Sequence, residues 1–265
     1  MDNIKNKKIV FVGSGNLATH LSLAFKYANN NIIQIYSRKK QNAELLANQI
    51  NCSFTNNLKK LNPEGDIYIL AVSDNAINTV LKKINLKNKL LIHTSGSTNI
   101  SVLKSHSDNF GVFYPLQTFS KNKELNFKNI PVCIEANNKL NEQILFNLAK
   151  QISDDIHYIS SEKRIQLHLA AVFVSNFVNH LYSIADNILT DNDLPFNLLK
   201  PLISETANKV IKNKPVDCQT GPAIRNDKNV IKTHLRLLNK FPIYKKIYTF
   251  VSKSIFNLHK SNIKQ

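Results

Sequence analysis

The chain has 265 residues, 43% of them hydrophobic, and 35 Lys and Arg against 18 Asp and Glu give it a formal net charge of +17. That is enough apolar material for one large or two modest folded domains, and it excludes disordered and low-complexity classes. Three widely spaced cysteines, Cys52, Cys133 and Cys218, spell neither a disulfide framework nor a zinc ribbon, so a reducing cytoplasm is the expected compartment and no metal site is expected.

The polar start and the short apolar run 9–12 do not read as an export signal. Lysines are scattered among abundant asparagines, arginines are few, Trp is absent and Met occurs once, a composition like the drift of an AT-rich genome. The charge therefore reads as a solvated surface, with no specific nucleic acid and no membrane expected as partners.

Only six glycines occur, so their positions carry information. The run 8–12 is a buried-strand pattern, and it leads into Gly13-Ser14-Gly15-Asn16-Leu17-Ala18 and then a helical repeat through Leu21 and Phe25. This is the strand, tight turn and helix of a dinucleotide fingerprint. Gly13 allows the turn, Gly15 lets the backbone approach a pyrophosphate, Ala18 packs helix on strand, and the N–H groups of the helix start receive phosphate. The bland alternative is an ordinary glycine-containing turn.

The second strand, 31–36, ends in Ser37-Arg38-Lys39-Lys40 and not in the acidic residue that would hold a ribose 2′-hydroxyl. A hydroxyl and a guanidinium there suit a 2′-phosphate, so NADP(H) is the expected cofactor; the alternative is a basic loop in a basic protein. A helix over 41–49, a short strand at 52–55 and a buried strand at 66–72 follow. The last ends in Ala71-Val72-Ser73-Asp74, cofactor-side candidates, with Asp74 alternatively capping the next helix.

The strand 89–93 runs into His93-Thr94-Ser95-Gly96-Ser97. His93 is a candidate acid or base, and Ser95 and Thr94 can hold a carboxylate or the nicotinamide amide; the alternative is a structural turn whose hydroxyl caps a helix at Val102. At the next strand end Pro115 is expected to break the ladder and turn the chain outward, leaving Tyr114, Gln117 and Thr118 along the crevice and Phe113 and Phe119 in the core. Strands at 130–135 and 156–159 around a helix at 140–152 complete the sheet. The nucleotide domain is thus assigned to 1–160 and a helical domain to 161–265.

The first helix of that second part, 162–182, is apolar nearly all round, which predicts burial on several sides. A polar stripe of His168, Ser175 and Asn179 at helical spacing, with Asn176 and His180, faces the crevice or is satisfied inside the core. Helices are predicted at 195–212, 230–238 and 243–258. The loop 219–227 holds the last glycine and Arg225, which suits a carboxylate or phosphate if sheltered and otherwise pairs with Asp227.

Together, Gly13-Ser-Gly-Asn-Leu-Ala18, His93-Thr-Ser-Gly-Ser97, Tyr114-Pro-Leu-Gln-Thr-Phe119, Ser175-Asn176-Phe177 and Thr220-Gly-Pro-Ala-Ile-Arg225 with His234-Leu235 resemble the family of Rossmann-like proteins with a C-terminal DUF2520 domain. The resemblance covers nearly the whole chain. It implies an α/β fold in which a Rossmann-type, mostly parallel sheet is followed by an all-α domain of the 6-phosphogluconate dehydrogenase C-terminal-like type. Its nucleotide domain is similar to coenzyme-F420-dependent NADP oxidoreductases and pyrroline-5-carboxylate reductases. The helical domain would serve dimerisation and substrate binding, making a homodimer. Asn226 departs from the glycine that follows the Arg in many members.

The expected function is an NADP(H)-dependent oxidoreductase acting on a small carbonyl or imine metabolite. His93, Ser95, Asn176 and Arg225 are its candidate catalytic residues, with His168 and Ser175 beside them, and the redox chemistry comes from the cofactor. Lys163 lies too far before Asn176 for one helical face to join them, which argues against a close 6-phosphogluconate or hydroxyisobutyrate dehydrogenase analogue. The alternative is a non-catalytic NADP(H)-binding sensor or scaffold.

Overall fold

A computed structural model describes residues 6–121 and 123–260. The chain divides into two compact units, Met1–Asn176 and Phe177–Gln265. The division falls beyond the last strand, because the first half of the long helix packs with the sheet.

The first unit alternates strand and helix: β1 Lys8–Val12, α1 Asn16–Tyr27, β2 Asn31–Tyr36, α2 Lys40–Ile50, β3 Ser53–Thr55, β4 Ile67–Leu70, α3 Asp74–Leu81, β5 Leu90–His93, β6 Asn109–Pro115, β7 Val132–Ala136, α4 Lys139–Lys150, β8 Ile156–Tyr158 and α5 Ser161–Val172. The strands form one sheet in the order β3-β2-β1-β4-β5-β6-β7-β8, parallel except where β7 runs against β6. Strand order reverses at β1 and β4, the place where such a sheet opens a crevice at the carboxyl ends of its strands.

Period-two alternation gives each central strand two buried faces. Ile9 and Phe11 of β1 join Leu21, Phe25, Leu46 and Leu145 on one side, whereas Val10 and Val12 join Ile77, Leu81 and Leu103 on the other. Each such side chain, fully buried, contributes about 1.5–3 kcal/mol before entropy is counted. The continuous apolar runs of β1, β4 and β5 follow from this two-sided burial.

Some expectations need correction. Pro115 does not break the ladder: it stands opposite Val132 at the end of β6, where a strand tolerates a residue without an N–H. No α-helix forms at Val102; residues Ile100–Leu103 make one 3-10 turn, in which the Asn99 side chain accepts from the Ser101 N–H and the Ser161 hydroxyl accepts from the Ile100 N–H. Asp74 is the first residue of α3 and not its cap; Ser73 stands in the cap position and makes no side-chain cap bond.

The long apolar helix is also not one regular helix. A π-turn over Phe173–Phe177 separates α5 from α6, Val178–Thr190, and shifts the helical period, so a stripe counted through His168, Ser175 and Asn179 does not keep one face. Within the single chain Val174 is 75% exposed, and Leu169 and Leu181 are exposed as well.

The second unit continues with α7 Lys200–Lys212, preceded by a 3-10 turn, then α8 Lys228–Leu237 and α9 Pro242–Lys260. An open apolar pocket of about 280 Å³ in this unit is lined by Ile184, Ala223, Leu238, Tyr248 and Val251, among others. Asn187 donates to the Tyr244 hydroxyl at 2.8 Å, and the His234 ring meets the Tyr248 hydroxyl at 2.9 Å. Among the described residues no helix is long and apolar enough to cross a membrane.

Candidate active site

The turn after β1 has the geometry that a dinucleotide requires. Gly13 has φ +132°, and a Cβ there would stand 2.1 Å from the Ala71 carbonyl oxygen, so only glycine fits between β1 and β4. Gly15 has open space where a Cβ would point, and it stands in the cap position of α1 with no side-chain cap and no acidic residue in the first turn. The N–H groups of that turn face a position suited to an anion. Ala18 is fully buried and Leu17 packs against the core, as close helix–sheet contact demands. These residues fit a bound dinucleotide.

The remaining cofactor candidates lie around this turn. The Ser14 hydroxyl donates to the Ser37 hydroxyl at 2.7 Å, joining the ends of β1 and β2. Arg38 is exposed and takes part in no ion pair among the described residues. Asn16 is already engaged, its amide donating to the Phe119 carbonyl at 2.8 Å and tying α1 to the segment after β6. Ala71 is buried, its N–H bound to the Val12 carbonyl, while Val72 is half-buried and Ser73 exposed. The Thr94 hydroxyl turns back to the Leu70 carbonyl.

The end of β5 places two candidates inside its turn. His93 is fully buried; burial, and then the positive charge of Arg164, lower its pKa to about 3, which favours the neutral imidazole. Its Nδ1 accepts from the Ser95 N–H at 3.2 Å. The Ser95 hydroxyl accepts from the N–H groups of Ser97 and Thr98 and donates to the Thr98 hydroxyl at 2.9 Å, which uses its bonding capacity in the turn itself. The structural-turn alternative describes both residues.

The turn is held by a residue that sequence reasoning missed. Arg164 of α5 is fully buried; its guanidinium donates to the Ser95 and Thr98 carbonyls and meets the Glu135 carboxylate at 2.5 Å. Ser161 also donates to Glu135, at 2.7 Å. A buried arginine with its charge paired and its fork filled fixes geometry. No local signal marked it, since its partners lie on β7 and in the turn after β5.

One helical turn on, the His168 ring reaches the same turn. Its Nδ1 lies 3.0 Å from the Tyr114 hydroxyl, the rings meet edge to face, and a Cβ on Gly96 would strike His168 Nδ1 at 2.6 Å and Tyr114 at 2.8 Å. Gly96 is therefore the gap through which this pair approaches the strand end. Tyr114, buried, has its pKa pushed up to about 12, first by burial.

Within the first unit, Ser175, Asn176, Gln117 and Thr118 share no hydrogen bond with this cluster among the described residues. The Ser175 hydroxyl donates to the Ala171 carbonyl one turn back at 2.6 Å, with the amide oxygen of exposed Asn176 3.1 Å away. Gln117 and Thr118 are exposed. Arg225, in the second unit, is exposed and not sheltered, and it forms no pair with Asp227, whose carboxylate caps α8 at Val230. Asn226 there has φ +53°, a left-handed conformation that asparagine tolerates. No cluster of three or more metal-ligating side chains occurs among the described residues.

Comparison with known proteins matches residues 8–96 to the NADP oxidoreductase, coenzyme F420-dependent family and residues 130–255 to a domain of unknown function, DUF2520. A Bacteroides fragilis structure provisionally described as an NADP oxidoreductase is 41% identical over 96% of this chain and 100% of its own, with a TM-score of 0.92. The chain belongs to this DUF2520-containing family. A Thermotoga maritima protein is 25% identical over 94% of this chain and 99% of its own, with a TM-score of 0.76. An imine reductase from Myxococcus stipitatus in complex with NADP+ shares the fold at 14% identity, covering 97% and 94% of the two chains with a TM-score of 0.64. No curated protein matches. NADP(H) is the cofactor class of this family's nucleotide domain.

Proposed function

We propose that the protein is an NADP(H)-dependent oxidoreductase that reduces a small carbonyl or imine metabolite in the cytoplasm. The observation that carries this reading is the Gly13–Ala18 turn, where glycine is required by both φ and space, opposite a strand end that offers Ser37 and Arg38 to a 2′-phosphate. Bound NADPH supplies two electrons and one proton. The chain's residues bind and orient: the first turn of α1 receives the pyrophosphate, Arg38 clamps the 2′-phosphate, and Ala71, Val72, Ser73 and Thr94 line the inner half of the crevice. Residues 1–160 would thus form the nucleotide domain and 161–265 the part that serves substrate binding and homodimer formation. Asn176, Ser175 and Arg225 carry exposed or half-buried polar groups suited to orienting a polar substrate.

Titration of NADPH and NADH by fluorescence or calorimetry, on the wild type and on Arg38→Ala, tests it. Losing a charge-assisted phosphate contact should weaken NADPH by roughly ten- to a hundredfold and leave NADH nearly unchanged. Absence of binding by both nucleotides sinks the reading. Turnover of NADPH with a metabolite separates an enzyme from a nucleotide-binding sensor.

A further inference from the structure

We infer that His168 is the site's proton donor, acting through Nε2, that Tyr114 is the residue that positions its ring and tautomer, and that the substrate is a carbonyl compound. The inference rests on the proposed oxidoreductase reading and adds the proton, the residue that delivers it and the class of acceptor.

Three observations converge. The crevice of such a sheet takes the adenosine half of a dinucleotide over β1 to β3 and the nicotinamide half over the strands from β4 onward. His168 and Tyr114 meet at the carboxyl ends of β5 and β6, on the nicotinamide side, and Gly96 is the one residue type that leaves them room. His93, the other imidazole at these strand ends, is fully buried and its Nδ1 is engaged in the turn.

The Tyr114 hydroxyl and His168 Nδ1 share a 3.0 Å hydrogen bond, which a phenol makes either as donor to a bare Nδ1 or as acceptor from Nδ1–H. When the ring is doubly protonated, the same phenolic oxygen accepts from Nδ1–H. A hydroxyl partner therefore supports both protonation states, where a carboxylate would favour only the charged one. Half-buried His168 has its Nε2 outside every hydrogen bond among the described residues. The charged and titratable groups around the pair are Arg164 with its partner Glu135, neutral His93, Asp74 and the buried Cys133 thiol. Arg164 and Glu135 compensate each other's charge.

Bound NADPH would supply a hydride, two electrons and one proton, to the carbonyl carbon. The C=O π pair moves to oxygen, which takes its proton from Nε2 of doubly protonated His168; the ring is left with its proton on Nδ1, donated to the Tyr114 oxygen, and a proton from solvent restores Nε2–H. An imine in neutral water carries much of its proton before it binds, so a retained protein donor favours a carbonyl.

Nuclear magnetic resonance of the full-length protein labelled on histidine nitrogens, with His168 assigned by His168→Asn, tests this. Neutral His168 should show the Nδ1–H tautomer that donation from Nε2 leaves and the Tyr114 oxygen accepts from, and Tyr114→Phe should shift it toward the Nε2–H form. Binding of NADPH should move the His168 ring-nitrogen resonances. Unchanged tautomer in Tyr114→Phe, or unmoved His168 resonances while fluorescence shows the nucleotide bound, overturns the assignment and leaves the oxidoreductase reading standing. Failure of either nucleotide to bind removes both. Against panels of small 2-oxo acids, aldehydes and cyclic imines, consumption of carbonyls that falls at least tenfold in His168→Asn and His168→Gln supports the assignment. Consumption of imines alone, unaffected by those changes, overturns it.

Discussion

His93 illustrates how a residue with catalytic chemistry becomes a structural one. A neutral imidazole inside the protein holds the Ser95 N–H, but the same ring in the unfolded chain takes up a proton near pH 6.5. Its folded-state pKa, about 3, lies below that value, so the unfolded state binds the extra proton at intermediate pH. Stability from this group is complete above about pH 6.5 and is lost as pH falls toward 3, by up to about 1.4 kcal/mol per pH unit. Thermal unfolding of the wild type should therefore drop more steeply between pH 7 and pH 5 than that of His93→Gln or His93→Asn. Equal slopes would mean that the buried ring is protonated in the fold.

At the scale of elements, α5 is fastened to the sheet by one buried ion pair, Arg164 with Glu135, and by arginine bonds to the turn after β5. Arg164→Met leaves Glu135 partly buried without its partner and the Ser95 and Thr98 carbonyls without donors. A loss of roughly 3–5 kcal/mol is expected, with a smaller loss in Arg164→Met/Glu135→Gln, and denaturant unfolding measures both. Sequence alone could not find this pair, because a lone arginine in a polar first turn reads as surface and its partners lie on distant segments. The strands and the Gly13 turn were legible, since two-sided burial writes continuous apolar runs and a φ that excludes side chains writes glycine. The π-turn was not legible, because the apolar residues of α5 and α6 run on without punctuation. Gly96 was visible as a glycine, but its reason, the approach of His168 and Tyr114, is a tertiary contact.

For the molecule as a whole, the two units differ in how much apolar surface they hide. The first buries both faces of the central strands of its sheet, whereas in the second few of the described side chains, such as Ile184 and Leu238, are buried, and Leu202, Ile211 and Phe250 are 62%, 78% and 77% exposed. Exposed apolar surface of that extent is the ordinary mark of association. A homodimer of chains that each carry +17 would be opposed by like charge, and salt would relieve that opposition. Analytical ultracentrifugation at micromolar concentration should give twice the chain mass, with dissociation favoured at low ionic strength. A monomer at every salt concentration would remove the homodimer from the proposal.

The left-handed turns have a further consequence. Asn29, Asn51 and Asn226 each hold a positive φ with a side chain in place, in a chain that has only six glycines. Each position carries a conformational cost that glycine would avoid, up to about 1 kcal/mol before the greater freedom of glycine in the unfolded chain is deducted. Asn51 is the left-handed residue that ends α2, where glycine is the commonest choice. Heat tolerance is thus left unused at identifiable sites. Asn51→Gly should raise the melting temperature by a degree or more in scanning calorimetry, away from every residue assigned to the crevice, which makes it a neutral first step toward a sturdier protein for crystallisation or biocatalysis.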